Sequence, residues 1–153
     1  MKEYTKRRNL NRGYMKLQVW NLGMDLFEYC NKLTSGMNLE FKLKSQLLNA
    51  SLSIPSNIAE GYCRKSINEY LQFLYISLGS SGELFTRVMG LKSMRLILES
   101  DIEEFDRLHF ELENKLLALI KSLQNKKQYG TWDNRVHEPE PDYSNVTEDG
   151  LAE

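Results

Sequence analysis

Residues Ser53–Leu84 read SIPSNIAEGYCRKSINEYLQFLYISLGSSGEL, and the fold turns on whether two apparent interruptions in this stretch are real. One is Pro55, set in a run whose apolar residues otherwise recur at helical spacing. The other is LGSSGE, Leu78–Glu83, which has the composition of a linker. Yet Ile67, Leu71, Leu74, Leu78, Ser81, Phe85 and Val88 alternate in steps of four and three straight through LGSSGE. A loop has no reason to keep that register, so the segment reads as helix. Gly79, Ser80, Ser81 and Gly82 are then expected to admit a neighbouring helix closely, at a cost of ~1 kcal/mol for each glycine. Pro55 removes one backbone donor and presses on the carbonyl of Ser51. A kinked but continuous helix is expected, with Ser51, Ser53 and Ser56 placed to satisfy the freed groups. The alternative is a break at Ile54 and a restart with Pro55 in the new first turn.

Working outward, SINE at Ser66–Glu69 and SDIE at Ser100–Glu103 both match the capping box and open periodic apolar runs. From Ser100 the stripe is Ile102, Phe105, His109, Leu112, Leu116, Leu119 and Leu123. Upstream, Val19, Leu22, Leu26, Cys30 and Leu33 define a first helix ended by Ser35-Gly36. Leu43, Leu47, Ser51, Ile54, Ile58 and Gly61 define a second, with Asn38 as a candidate cap. Helices are expected at about 16–35, 38–63, 66–94 and 99–126. Short connections make sequential helices antiparallel neighbours. The expected fold is all-α: an up-down-up-down antiparallel four-helix bundle with a kinked second helix.

The chain's 153 residues suit one domain with appendages, and three prolines, two of them Pro139 and Pro141, favour helices. Net charge is −1 but unevenly spread. Residues 1–15 form a basic arm: through Lys16 there are six Lys and Arg against Glu3 alone. Residues 128–153 carry seven acids against Arg135, and few aliphatics, and are expected to be a disordered acidic tail. The bundle, 16–127, is close to neutral. There is no secretory h-region and no apolar run long enough to span a bilayer, and Cys30 and Cys63 have no metal or disulfide spacing. A cytoplasmic protein with reduced thiols and no membrane contact is expected.

The first two helices carry more apolar surface than one bundle needs. Trp20, Met24 and Phe27 form a second stripe on helix 1, and Phe41, Leu48, Leu52 and Ala59 on helix 2. A single stripe is normally sufficient. The excess implies a wider core, a covering tail or a neighbouring subunit, and large aromatics favour the last. Trp20, Met24, Phe27, Phe41, Leu48 and Leu52 are therefore the expected homo-oligomer interface.

Catalytic patterns are sparse. Asp106-x-x-His109 has half the spacing of a di-iron site, but the only other histidine is His137, so His109 reads as a core or interface residue and no metal or cofactor is expected. There is no G-x-S-x-G and no phosphate-binding glycine loop, and no enzyme or small-molecule substrate is expected. Asn57, Glu60 and Arg64 share one side of helix 2, as a polar network or a partner site. Tyr4 and Tyr14 interleave with Lys6, Arg7, Arg8, Arg12 and Lys16, a pattern suited to single-stranded nucleic acid through stacking and phosphate contact.

The string IPSNIAEGY followed by EYLQFL resembles the four-helix-bundle proteins related to the bacterial 23S ribosomal-RNA intervening-sequence protein. The resemblance runs from NRGYMKLQVW, Asn11–Trp20, to ENKLLALIKSLQ, Glu113–Gln124. It implies that the proline string lies on a kinked second helix. Through a fold similar to the accessory protein of diversity-generating retroelements, it also implies a ring-like homopentamer that binds nucleic acid and a reverse transcriptase. The expected function is a non-enzymatic oligomeric scaffold or adaptor with RNA or an RNA-processing or reverse-transcribing partner. The alternative is a purely protein-binding bundle.

Overall fold

The computed structural model of the chain describes residues 3–132. The described residues are helical, with no strand among them: a short 3-10 helix, Leu10–Lys16, then α1 (Gln18–Ser35), α2 (Phe41–Tyr62), α3 (Ile67–Ser93) and α4 (Glu99–Gln128). There are thus five helical elements where four were expected, because part of the basic arm is itself wound. α1 packs on α2 and α4, α3 packs on the same two, and the 3-10 helix lies on α1 and α2. No described helix is long and apolar enough to cross a membrane.

Ser66 caps α3 as the capping box demands, its Oγ accepting the Glu69 N–H at 3.4 Å. The second box does not act that way. α4 starts behind Leu98, which has no capping side chain, so Ser100 sits inside the first turn. Glu99 and Asp101 in that turn complement the exposed N–H groups instead. Asn38 is likewise not a cap, since the residue before α2 is Glu40 and no side chain bonds there.

α3 runs unbroken through LGSSGE. Its serines do the packing: Ser77 and Ser81 are buried, and Ser77 Oγ donates to the Ile54 carbonyl at 2.9 Å. Gly79 and Gly82 do not admit a neighbour, because a Cβ on either would meet open space. The close approach lies elsewhere. A Cβ at Gly61 would come within 2.9 Å of Phe73 Cβ and of Tyr70 Cδ2, so this glycine lets α2 and α3 touch.

The core stripes follow the expected spacing near their centres and slip at their edges. Leu22, Phe85 and Leu119 are only half-buried, and Gly23, Leu84 and Ile120 are buried beside them. A strict heptad drifts ~20° per repeat around a straight helix, so a stripe counted in threes and fours slides off the core over several turns.

α2 is continuous through Pro55, whose ring is fully buried. What receives the ring is Gly23 of α1, where a Cβ would stand 3.1 Å from Pro55 Cβ and 3.2 Å from its Cδ. The three serines take other partners than the freed Ser51 carbonyl. Ser51 Oγ donates to Leu48 O, Ser56 Oγ to Leu52 O, and Ser53 pairs with Ser80 across the α2–α3 seam at 2.9 Å.

Two Schellman closures end the long helices. After α3, Leu96 N–H reaches Leu91 O and Arg95 N–H reaches Lys92 O, with Arg95 in the left-handed region at φ 57°. After α4, Thr131 N–H reaches Lys126 O, and Gly130 supplies the positive φ of 63°. The second closure turns the chain back so that Trp132 packs against the core.

Candidate functional site

The basic arm is held down rather than free. Asn9 Oδ1 accepts the Arg12 N–H and starts the 3-10 helix, and Asn21 Nδ2 donates to Met15 O and Leu17 O from α1. Arg12 Nη1 donates to Arg7 O at 2.9 Å, folding the preceding strand of chain over the helix. Gly13 leaves room for the Tyr62 hydroxyl, which a Cβ there would overlap.

The docking is done by aromatic rings in series. Tyr4 meets Trp20 edge-on at 5.1 Å, and Tyr14 meets it at 5.6 Å. Tyr14 then contacts Tyr62 at 6.1 Å, Tyr62 contacts Tyr70 at 6.2 Å, and Tyr70 contacts Trp132 at 6.1 Å. Edge and tilted pairs at these separations each contribute ~0.5–1.5 kcal/mol beyond burial. Desolvation, helped by the neighbouring Tyr62 and Cys63, pushes the Tyr70 hydroxyl above its ordinary range.

Two expectations change here. Trp20 is only 9% exposed because Tyr4 and Tyr14 of the same chain cover it, so no second subunit is needed to bury it. Tyr14 is half-buried against Trp20, while Tyr4 contacts the same indole and keeps 38% of its surface exposed. A cavity of about 440 Å³ between arm and α1 is lined by Tyr4, Arg12, Tyr14, Trp20 and Met24. Chain past Gln128 was expected to be tail, but Trp132 is packed, with its indole Nε1 buried and without an acceptor among the described residues. Tyr143 and the rest of 133–153 lie outside the described residues.

The cations themselves face solvent. Lys6, Arg7, Arg12 and Lys16 are exposed and Arg8 is half-buried. None of the five has an acidic partner among the ion pairs of the described residues. They give the arm a strong excess of positive charge, with Glu3 its one acid among the described residues.

Asn57, Glu60 and Arg64 do not converge on a site. Asn57 Nδ2 turns back to Ser53 O at 2.7 Å. Arg64 pairs with Glu60 at 2.7 Å, lies 4.7 Å over the Phe73 ring and reaches Glu69 at 3.9 Å, tying the end of α2 to the start of α3. The Glu60–Arg64 pair is solvent-exposed, so screening keeps its contribution to ~0.5 kcal/mol or less.

His109 is buried between Phe85 and Phe105, with Nε2 at 2.8 Å from Ser81 O, while Asp106 faces solvent. The two cannot share a ligand. Burial raises Cys30 to about 12 and also raises Cys63, so both thiols are less nucleophilic than free cysteine.

The remaining expected interface residues divide. Met24 and Leu48 are packed against the core, and Phe27 is half-buried. Phe41 is 83% exposed and Leu52 40%. The part of the α1–α2 face beyond the arm thus stays apolar and open. The contributors that sequence reasoning missed are Gly13, Gly23, Tyr62, Tyr70 and Gly130. Only Gly130, between a long helix and an aromatic, carried a readable signal.

A search of curated proteins finds no match to the chain. The family model described as 23S rRNA-intervening sequence protein matches residues 15–118, from the buried Met15 under the arm to the last third of α4. That span takes in the whole of α1, α2 and α3, and on it the chain belongs to the 23S rRNA-intervening sequence protein family.

Proposed function

We propose that the protein is a non-enzymatic scaffold or adaptor: an up-down antiparallel four-helix bundle that assembles into a ring of five copies and works beside RNA in the cytoplasm. The observation that carries the assembly is the open apolar face of α1 and α2. Phe41 at 83% and Leu52 at 40% exposure put two large apolar side chains of α2 in solvent, more than a monomer benefits from. The number five and the RNA-related role rest on family membership. The basic patch of Lys6, Arg7, Arg8, Arg12 and Lys16 supplies the anion-contacting surface such a role needs.

A second reading is a bundle that recruits only protein. The use of Tyr14 in docking the arm favours it, because that half-buried ring is packed on Trp20 and Tyr62 and is not free to stack on a base. Light scattering at micromolar concentration tests the assembly: the wild type is expected as an oligomer, and Phe41→Glu with Leu52→Glu as a folded, smaller species. A wild-type monomer overturns the ring. Titration with RNA at two salt concentrations separates the readings. Binding through five cations should fall by roughly 10²–10³ between 50 and 200 mM salt, whereas salt-independent absence of binding leaves the protein-recruiting reading.

A further inference from the structure

The basic arm and Trp132, the last described residue before the acidic segment, are joined by one file of rings. The arm is pinned to it through Tyr14 on Tyr62, and Trp132 is pinned on Tyr70. Three ring-to-ring steps of 6.1, 6.2 and 6.1 Å carry the path from Tyr14 to Trp132. Glu138 and Glu140 follow Trp132 closely in sequence, and eight residues of extended chain reach ~26–29 Å. That reach exceeds the length of the ring path from Trp132 to Tyr14, so chain of this length can span from Trp132 to the arm at Tyr14. Seven acids stand against Arg135 beyond Trp132, and on the arm stand five cations with no acidic partner among the described residues.

We propose that residues 133–153 dock in cis on the surface formed by Lys6, Arg7, Arg8, Arg12 and Lys16, as a built-in polyanion that competes with any external one. The competition, though not the docking, rests on the reading of that patch as the anion-contacting surface. The other recess near the root of the segment is a groove of about 800 Å³ between α3 and α4. Its lining mixes the apolar Leu71, Tyr75 and Ile76 with amides such as Gln72 and Gln124 and a single cation, Lys127, and offers little to seven carboxylates. Charge complementarity selects the arm. A short tether holds the acids at an effective concentration on the order of millimolar. Surface pairs near the upper end of their ~0.2–1 kcal/mol range together supply the ~4 kcal/mol that half-occupancy at that concentration requires. An external anion must displace the segment first, so its apparent dissociation constant rises by the inverse of the unoccupied fraction.

The test uses the full chain and a full-length variant with all seven acids replaced by their amides, from Asp133→Asn and Glu138→Gln through Glu153→Gln. Zero-length carbodiimide crosslinking of a mixture of isotopically light and heavy protein distinguishes contacts within a chain from those between chains. Crosslinks from Lys6 or Lys16 to Glu138 or Glu140 within one chain, lost in high salt, are expected. A labelled single-stranded oligouridylate should bind the variant ~3–10-fold more tightly than the wild type at low salt, with the difference shrinking as salt rises. Absence of intrachain crosslinks at Lys6 and Lys16, crosslinks only between chains, or crosslinks to Lys127 instead would each overturn the docking. Equal and measurable affinities would overturn the competition. If neither protein binds the oligonucleotide, the RNA-related reading of the patch fails, and the crosslinks alone decide whether the segment docks.

Discussion

Gly61→Ala should lower stability while Gly82→Ala raises it, although both add one methyl to the interior of a long helix. Intrinsic helix propensity favours alanine by ~1 kcal/mol at either site. At Gly82 nothing lies within 4 Å of the added Cβ, so that gain should appear in full. At Gly61 the methyl would stand 2.9 Å from Phe73 Cβ and Tyr70 Cδ2 and 3.2 Å from Tyr70 O. Carbon atoms prefer ~3.5–4.0 Å, so relief requires a shift of roughly an ångström. Phe73 Cβ and the Tyr70 carbonyl cannot swing aside without moving the backbone of α3. Tyr70 is further wedged between Tyr62 and Trp132. Overpacking of this kind costs ~1–3 kcal/mol, which outweighs the propensity gain and leaves a net loss of ~1 kcal/mol. Gly61→Leu should lose more. Urea denaturation followed by circular dichroism reads both signs, with unchanged m-values showing that only stability has moved. A Gly61→Ala protein as stable as wild type would refute the close α2–α3 contact.

Pro55 and Gly23 should be energetically coupled: Gly23→Ala should destabilise the wild type yet be neutral or better with Pro55→Ala, a double-mutant cycle giving ~0.5–3 kcal/mol. Additivity would show that the ring does not seat on Gly23. Arg95→Gly should gain ~1 kcal/mol in a thermal or urea melt, because a left-handed φ is costly for any side chain. Cys30 keeps its proton in the folded state up to about pH 12, while the unfolded chain loses it near 9. Stability is therefore unaffected below pH 9 and falls as pH rises above it, at no more than ~1.4 kcal/mol per unit. Cys30→Ala should reduce that alkaline slope, and the part that remains comes from groups that burial also raises, such as Cys63 and Tyr70. Truncation after Trp132 removes the docked segment and should lower the melting temperature by about a few degrees at low salt and not at high salt, whereas truncation after Gln128 also removes an aromatic anchor and should lower it further at either salt. Trp132→Phe should retain most of the anchor, since the indole donor lost has no described partner.

How much could be read beforehand depended on the range of the interaction. The helices of Ser66–Val88 and Ser100–Leu123 declare themselves through local periodicity, which survives even LGSSGE because burial of Ser77 and Ser81 preserves the register. Caps were read where a side chain performs them, as at Ser66, and misread at Ser100, where Leu98 starts the helix without one. Contacts between residues distant in the chain were not readable. Gly23 has no meaning until Pro55 is placed against it, and Tyr62 and Tyr70 look like ordinary helix aromatics until Tyr14 and Trp132 arrive on either side. The surplus of apolar surface on α1 was seen correctly as a surplus. Its cover over Trp20 proved to be the arm, because the sequence shows that a stripe must be covered but not by what.

The chain has two tryptophans, Trp20 and Trp132, and both belong to the same file of rings, Trp132 at one end and Trp20 behind Tyr4 at the other. Its ultraviolet emission therefore comes from one pole of the molecule, fed by energy transfer from Tyr4, Tyr14 and Tyr70 in direct contact with the indoles. Fluorescence will report detachment of the two terminal segments, and circular dichroism the melting of the helices between them. Coincident transitions would mean that the ends and the bundle unfold as one unit, and an earlier loss of emission would mark that pole as the first to fray.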